Sequence, residues 1–221
     1  MKDRTAPALF GVVVYEGVEP IDIGGTIGVL SMARRVLPAI EGITIAERAG
    51  PVTLAGGLTI LAQSDFANAP ACDLLIMCGG PGWRREVSNR AMLDFLRNPP
   101  SPRVTSVCTG AMILGAAGTL DGRMATTRRN AVGSEASSPL SELASFAPTS
   151  ERHEAAIVED GPIVTGGGVS LAIDATLYLI GQVYGENARA EVAQVIEYDR
   201  AYKANRLALG HIRAERTASS Y

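Results

Sequence analysis

Residues 103–118, RVTSVCTGAMILGAAG, change character at one residue, and that change constrains the fold more than anything else in the chain. Val104, Thr105 and Val107 are β-branched and favour an extended strand. Beyond Thr109 and Gly110, residues 111–117 are apolar almost all round and mostly good helix formers, with Gly118 as a stop. Cys108 therefore sits on a strand-to-helix turn, the geometry that lifts a nucleophile out of a sheet. The alternative is that it packs as a small buried hydrophobe, the common fate of a free cysteine.

The rest of the chain repeats this alternation. ALFGVVVY (8–15), ITIAER (43–48) and DLLIMC (73–78) read as strands, and RMATT (123–127) as a short one. PVTLAGGLTIL (51–61) and AAIVEDGPIVT (155–165) read as hairpins around Gly56-Gly57 and Asp160-Gly161. Helices are predicted near 26–37 and 89–97, then an apolar one at 169–184 and an amphipathic one at 186–198. Residues 128–150 are polar and carry no clear period. Strands alternating with helices imply an α/β three-layer sandwich around a mostly parallel sheet. One domain over 1–199 follows, with a basic tail over 200–221 (Arg200, Lys203, Arg206, Arg213, Arg216) as a solvated end or dimer arm. Ligands of such sheets bind beyond the carboxyl ends of the strands. There the loop holding Asp22, the GGPGW run (79–83) and Cys108 should converge.

Composition narrows the class. With 47% hydrophobic and 19% charged residues the chain reads as globular, and a net charge of −3 gives no case for nucleic acid or a membrane surface as partner. No apolar run reaches the length of a membrane span, and MKDRTAP lacks the apolar segment of a secretory signal. Cys72, Cys78 and Cys108 are odd in number and match no zinc spacing, so free thiols in a reducing cytoplasm, without metal or cofactor, are expected. Only His153 and His211 are present, which leaves a Cys-His-Glu glutaminase triad poorly supported. Both read as ordinary surface residues.

Further stretches converge on one family. TSVCTGAMILGAAGTLDGRMATT, with PIDIGG, MCGGPG and IVTGGGVSLAID, resembles the ThiJ/PfpI superfamily of the class I glutamine amidotransferase-like fold, over about residues 8–199. The pattern is nearest to isonitrile hydratases and to sensor domains of some AraC-type regulators. The resemblance, with the apolar 169–184 helix as a candidate interface, suggests a homodimer, and it implies a cysteine nucleophile that adds to an isonitrile carbon. An aspartate serves as acid and base, and water then releases an N-substituted formamide. By position these are Cys108 and Asp22, with Thr109 following the nucleophile. Gly80 and Thr109 amides would form an oxyanion site, and Gly79, Trp83, Arg128, Gly168 and Val169 would line the substrate pocket. Such regulators carry a helix-turn-helix pair after this domain, and the roughly 20 residues beyond Asp199 are too few for one.

Several residues carry open alternatives. Asp22 could simply cap the following helix, and Glu16 and Glu19 share its loop. A helix N-terminus contributes about 1 kcal/mol, too little alone to ionise a thiol, so turn amides would have to donate to sulfur as well. A carboxylate beside a thiolate raises both pKa values, so the pair must share a proton. The chain departs from the family pattern at Arg128-Arg129 (ATTRR for ATTHW), at Leu171-Ala172 (GGVSLAID for GGITAGID), and at Gly24 and Thr26 (DIGGT for DLTGP). Leu171 and Ala172 would narrow one pocket wall. If Arg128-Arg129 or Arg84-Arg85 turn inward, the substrate should carry an anionic group.

Overall fold

A computed structural model describes residues 1–215. One sheet contains β1 (Ala8–Val13), β2 (Ile40–Ala46), β3 (Ser64–Asp65), β4 (Leu74–Met77), β5 (Val104–Ser106), β6 (Ile157–Asp160), β7 (Ile163–Gly166) and β8 (His211–Arg213). Their order is β8-β6-β7-β5-β4-β1-β2-β3. Six strands run parallel; β6 is antiparallel to β7, and β8 follows β6. Every residue of β4, β5 and β7 is buried, as a sheet covered on both faces requires. The helices are α1 (residues 20–33), α2 (Arg90–Arg97), α3 (Gly110–Ala116), α4 (Leu171–Tyr184), α5 (Glu186–Val195) and α6 (Asp199–Leu209). Helices α1, α4 and α5 pack on one another, and α2 packs on α3. The predicted α/β sandwich is the observed architecture. A hairpin, Gly50–Thr53 with Thr59–Ala62, turns through Gly56 and Gly57, both at positive φ.

Three expectations change. The first helix spans 20–33, not 26–37: Pro20 opens it, and a π turn over Gly24–Gly28 carries it through three glycines. The Thr26 hydroxyl donates to the Asp22 carbonyl (2.8 Å), and Thr176 donates to the Gly25 carbonyl (2.8 Å). Tertiary contact thus overrides the weak helix propensity of EPIDIGG. Residues 200–213 are not a tail, since α6 and β8 complete the fold and only Arg216 of the expected basic residues lies outside the described residues. Tyr198 and Asn205 anchor this segment on Asp174, while Arg213 pairs with Glu159 at 2.8 Å. His211 is accordingly half-buried: its ring lies edge-on to Tyr178 and Tyr202, and burial, with Arg206 and Arg189 nearby, lowers its pKa to about 4. Finally, the apolar face of α4 serves the core of its own chain, with Leu171, Ala172, Leu177, Leu179 and Ile180 buried. Among the described residues no helix is long and apolar enough to cross a membrane.

Candidate active site

The carboxyl ends of β1, β4, β5 and β7 deliver four loops to one place. Cys108, two residues past β5, holds a left-handed backbone with φ +52°. A side chain in that region costs about 1–2 kcal/mol, so the surroundings must hold it there. They do: the Cys108 amide donates to the Gly167 carbonyl (3.1 Å), and the Thr127 hydroxyl donates to the Cys108 carbonyl (2.7 Å). Gly110 lets α3 start against β4, because a Cβ there would lie 2.2 Å from the Met77 carbonyl oxygen. At Gly168 a Cβ would lie 2.9 Å from the Cys108 sulfur, so glycine keeps the thiol uncovered.

A cavity of about 280 Å³ opens beside Cys108. Thr109, Gly80, Trp83, Arg128 and Val169 line it with Cys108, and Glu19, Pro81, Val132 and Glu135 complete it. Trp83 is buried, with Phe146 edge-on at 5.6 Å. Gly79 contributes through its amide, which donates to Asp22 Oδ2 at 2.7 Å. Asp22 does not cap its helix. It occupies the first turn, fully buried, with Oδ1 left without a hydrogen-bond partner.

Burial raises both members of the pair. Burial drives the Asp22 carboxyl up to about 7, helped by the Glu19 charge and opposed by the Gly79 amide and Arg128. Burial, then the Asp22 charge, pushes the Cys108 thiol up to about 12. The Thr109 amide and hydroxyl do act on the sulfur, yet burial outweighs them, so the resting nucleophile is a thiol. The expected oxyanion site is not open in this conformation, because the Gly80 amide donates to Thr109 Oγ1 at 2.9 Å.

Other candidates fall away from the cavity. Arg129 faces Glu154 at 3.7 Å, Arg85 binds Glu86 at 2.6 Å, and Arg84 pairs with Glu142 at 2.8 Å while stacking over Trp83. Leu171 and Ala172 narrow nothing: they pack against Gly167 and Gly25 inside the fold. Glu16 binds the Thr53 amide, whereas Glu19 does line the cavity. Cys78 and Cys72 are buried packing residues. Glu135 and Val132 escaped the sequence reading because residues 128–150 show neither period nor motif.

A nucleophile-elbow cysteine near a buried carboxyl, both at the carboxyl ends of a parallel sheet, defines a class, and similarity to known proteins specifies it. Residues 10–182 match the DJ-1/PfpI family, and the chain belongs to it. It is 34% identical over 135 residues to the isonitrile hydratase of Pseudomonas putida, a match covering 60% of this chain and 55% of that protein. It is 30% identical over 135 residues to the HTH-type transcriptional regulator GbdR of Pseudomonas aeruginosa, covering 60% of this chain and 34% of the regulator. The chain thus spans about half of the hydratase and a third of the regulator. Among solved structures, a ThiJ/PfpI family protein from Pseudomonas syringae superposes with TM-score 0.74 at 27% identity, over 88% of this chain and 76% of that one. Drosophila melanogaster DJ-1beta shares the fold at TM-score 0.69 and 16% identity, over 87% and 98% of the two chains.

Proposed function

We propose that the protein is a cofactor-independent, cysteine-dependent hydratase that converts isonitriles into N-substituted formamides. The observation that carries this reading is the unpartnered, protonatable Asp22 carboxyl beside a thiol held at a cavity wall. An isonitrile carbon must gain both a nucleophile and a proton, and neutral Asp22 supplies the second. The Cys108 sulfur bonds to that carbon while Asp22 gives its proton to the carbon and receives the thiol proton. The product is a thioformimidate, N=CH–S. Water adds to its carbon as Asp22 passes a proton to nitrogen and takes one from the water. The C–S bond then breaks, the sulfur regains a proton, and the formamide leaves. Isonitrile and water are consumed, and enzyme and carboxyl return unchanged. The resemblance to the Pseudomonas putida hydratase supports the choice of substrate. A reducing, cytoplasmic setting suits the three free thiols, and the cavity suits a small molecule rather than nucleic acid.

Incubation with a panel of aryl and alkyl isonitriles, followed by mass spectrometry, tests this directly. Formamide should accumulate with turnover. Failure across the panel would favour a second reading, a ligand-binding regulatory domain that keeps the elbow without chemistry, which the similarity to GbdR supports.

A further inference from the structure

Resting on the reading of this cavity as an isonitrile site, we propose that Glu135 determines specificity. By holding Arg128, it leaves the cavity no available cation, so neutral apolar isonitriles are accepted and carboxylated ones are turned away. Arg128 lines the cavity with a side chain only 11% exposed, and a guanidinium so placed would ordinarily anchor a carboxylate by paired hydrogen bonds. Here the guanidinium is already occupied. Its Nη2 donates to Glu135 Oε1 at 2.5 Å and its Nη1 to the Asn130 carbonyl at 2.6 Å. The second Glu135 oxygen accepts the Val132 amide at 2.9 Å, so the carboxylate is fixed from both sides.

The same segment repeats the device. Glu142 holds Arg84, which stacks over Trp83 outside the cavity lining, through Nη1 at 2.8 Å and Nη2 at 3.2 Å. What remains on the cavity wall is Pro81, Trp83, Val132 and Val169, with Glu19 as a further negative charge. The lining therefore carries Glu19 and Glu135 against Arg128 alone. An incoming carboxylate would have to displace Glu135 and strand it in a half-buried site, whereas a neutral aryl or alkyl group meets apolar surface. Arg128, which by itself suggests an anionic substrate, becomes with Glu135 an electrically closed wall.

Trp83 is the only tryptophan in the chain and lines the cavity, so its fluorescence reports binding without turnover. Benzamide and benzoate form an unreactive neutral and anionic pair. Wild type should bind benzamide at least about tenfold more tightly than benzoate. Glu135→Gln keeps an acceptor for the Val132 amide but frees the Arg128 charge, and should shrink that ratio at least about tenfold. Adding Arg128→Gln to Glu135→Gln should restore the preference for benzamide. Equal binding by wild type, or an unchanged ratio in Glu135→Gln, overturns the proposal. Parallel rates on phenyl isocyanide and 4-isocyanobenzoate separate it from the function. Binding ratios that shift as expected without any formamide would sink the hydratase reading alone, and formamide with unshifted ratios would sink the Glu135 proposal alone.

Discussion

Two aspartates, Asp22 and Asp174, are fully buried in the first turns of α1 and α4. Burial raises both carboxyls, to about 7 and about 6. Their partners differ. Oδ1 is unpartnered in both, but Asp22 has a single backbone donor on Oδ2 and a charge close enough to raise the Cys108 thiol. Asp174 Oδ2 accepts the Tyr198 hydroxyl at 3.0 Å and the Asn205 amide at 3.1 Å, and so ties α4 to the C-terminal helix. A raised carboxyl therefore does not by itself mark a reaction centre. A nucleophile and a cavity beside it do.

The largest expected effect falls on the partner that Asp174 lacks. Cys108→Ala should abolish formamide production while circular dichroism and melting stay close to wild type. A variant that turns over at the wild-type rate would remove the covalent route and with it the distinction between the two aspartates.

Next comes Asp22→Asn. The amide oxygen can still accept the Gly79 N–H, but the side chain no longer exchanges a proton. A loss of about 10²-fold or more in kcat is expected, and wild-type activity should fall as pH rises through about 7, where the neutral carboxyl disappears. Wild-type stability should fall over the same range. A carboxyl whose folded pKa exceeds its unfolded value of 3.8 contributes stability that is present below 3.8 and lost as pH climbs through about 7. Asp22→Asn removes that loss, so the variant should gain melting temperature over wild type at pH 8 and not at pH 4. An equal gain at both pH values would mean that Asp22 does not titrate in this range.

How far the site was legible follows from the same residues. The β-branched run into Cys108 and the glycines after β4 are local signals, and local geometry follows from them. Asp22 was found, but its role as a cap was not separable from chemistry until Gly79, 57 residues away, appeared as its donor. Glu135 and Glu142 were invisible because their meaning lies in Arg128 and Arg84, and long-range ion pairs leave no period. Residues 200–213 are not legible as part of the fold for a related reason. Their basic residues suggest a solvated end, while the groups that hold them, Asp174, Glu159 and Tyr178, lie on elements distant in sequence.

A smaller expectation concerns self-association. With the apolar face of α4 buried in its own core, exposed apolar side chains such as Leu58 and Leu61 are open to the expected homodimer. Light scattering at micromolar concentration should give about twice 23.1 kDa, and Leu61→Lys should lower that value toward the monomer. A monomeric wild type would refute the dimer.

The smallest effect should come from the structural aspartate. Tyr198→Phe deletes one hydroxyl and leaves Asn205 on Asp174. The loss of one hydrogen bond to a buried carboxyl contributes about 1–3 kcal/mol, or a few degrees of melting temperature for a chain of this length. Because ionised Asp174 accepts that bond, the loss should be larger at pH 8 than at pH 4, below its pKa of about 6. Formamide turnover should stay within about twofold of wild type, since no atom of the pair touches the cavity. A kcat drop approaching that of Asp22→Asn would couple α4, which begins two residues after Val169, to the reaction and erase the contrast between the two carboxyls.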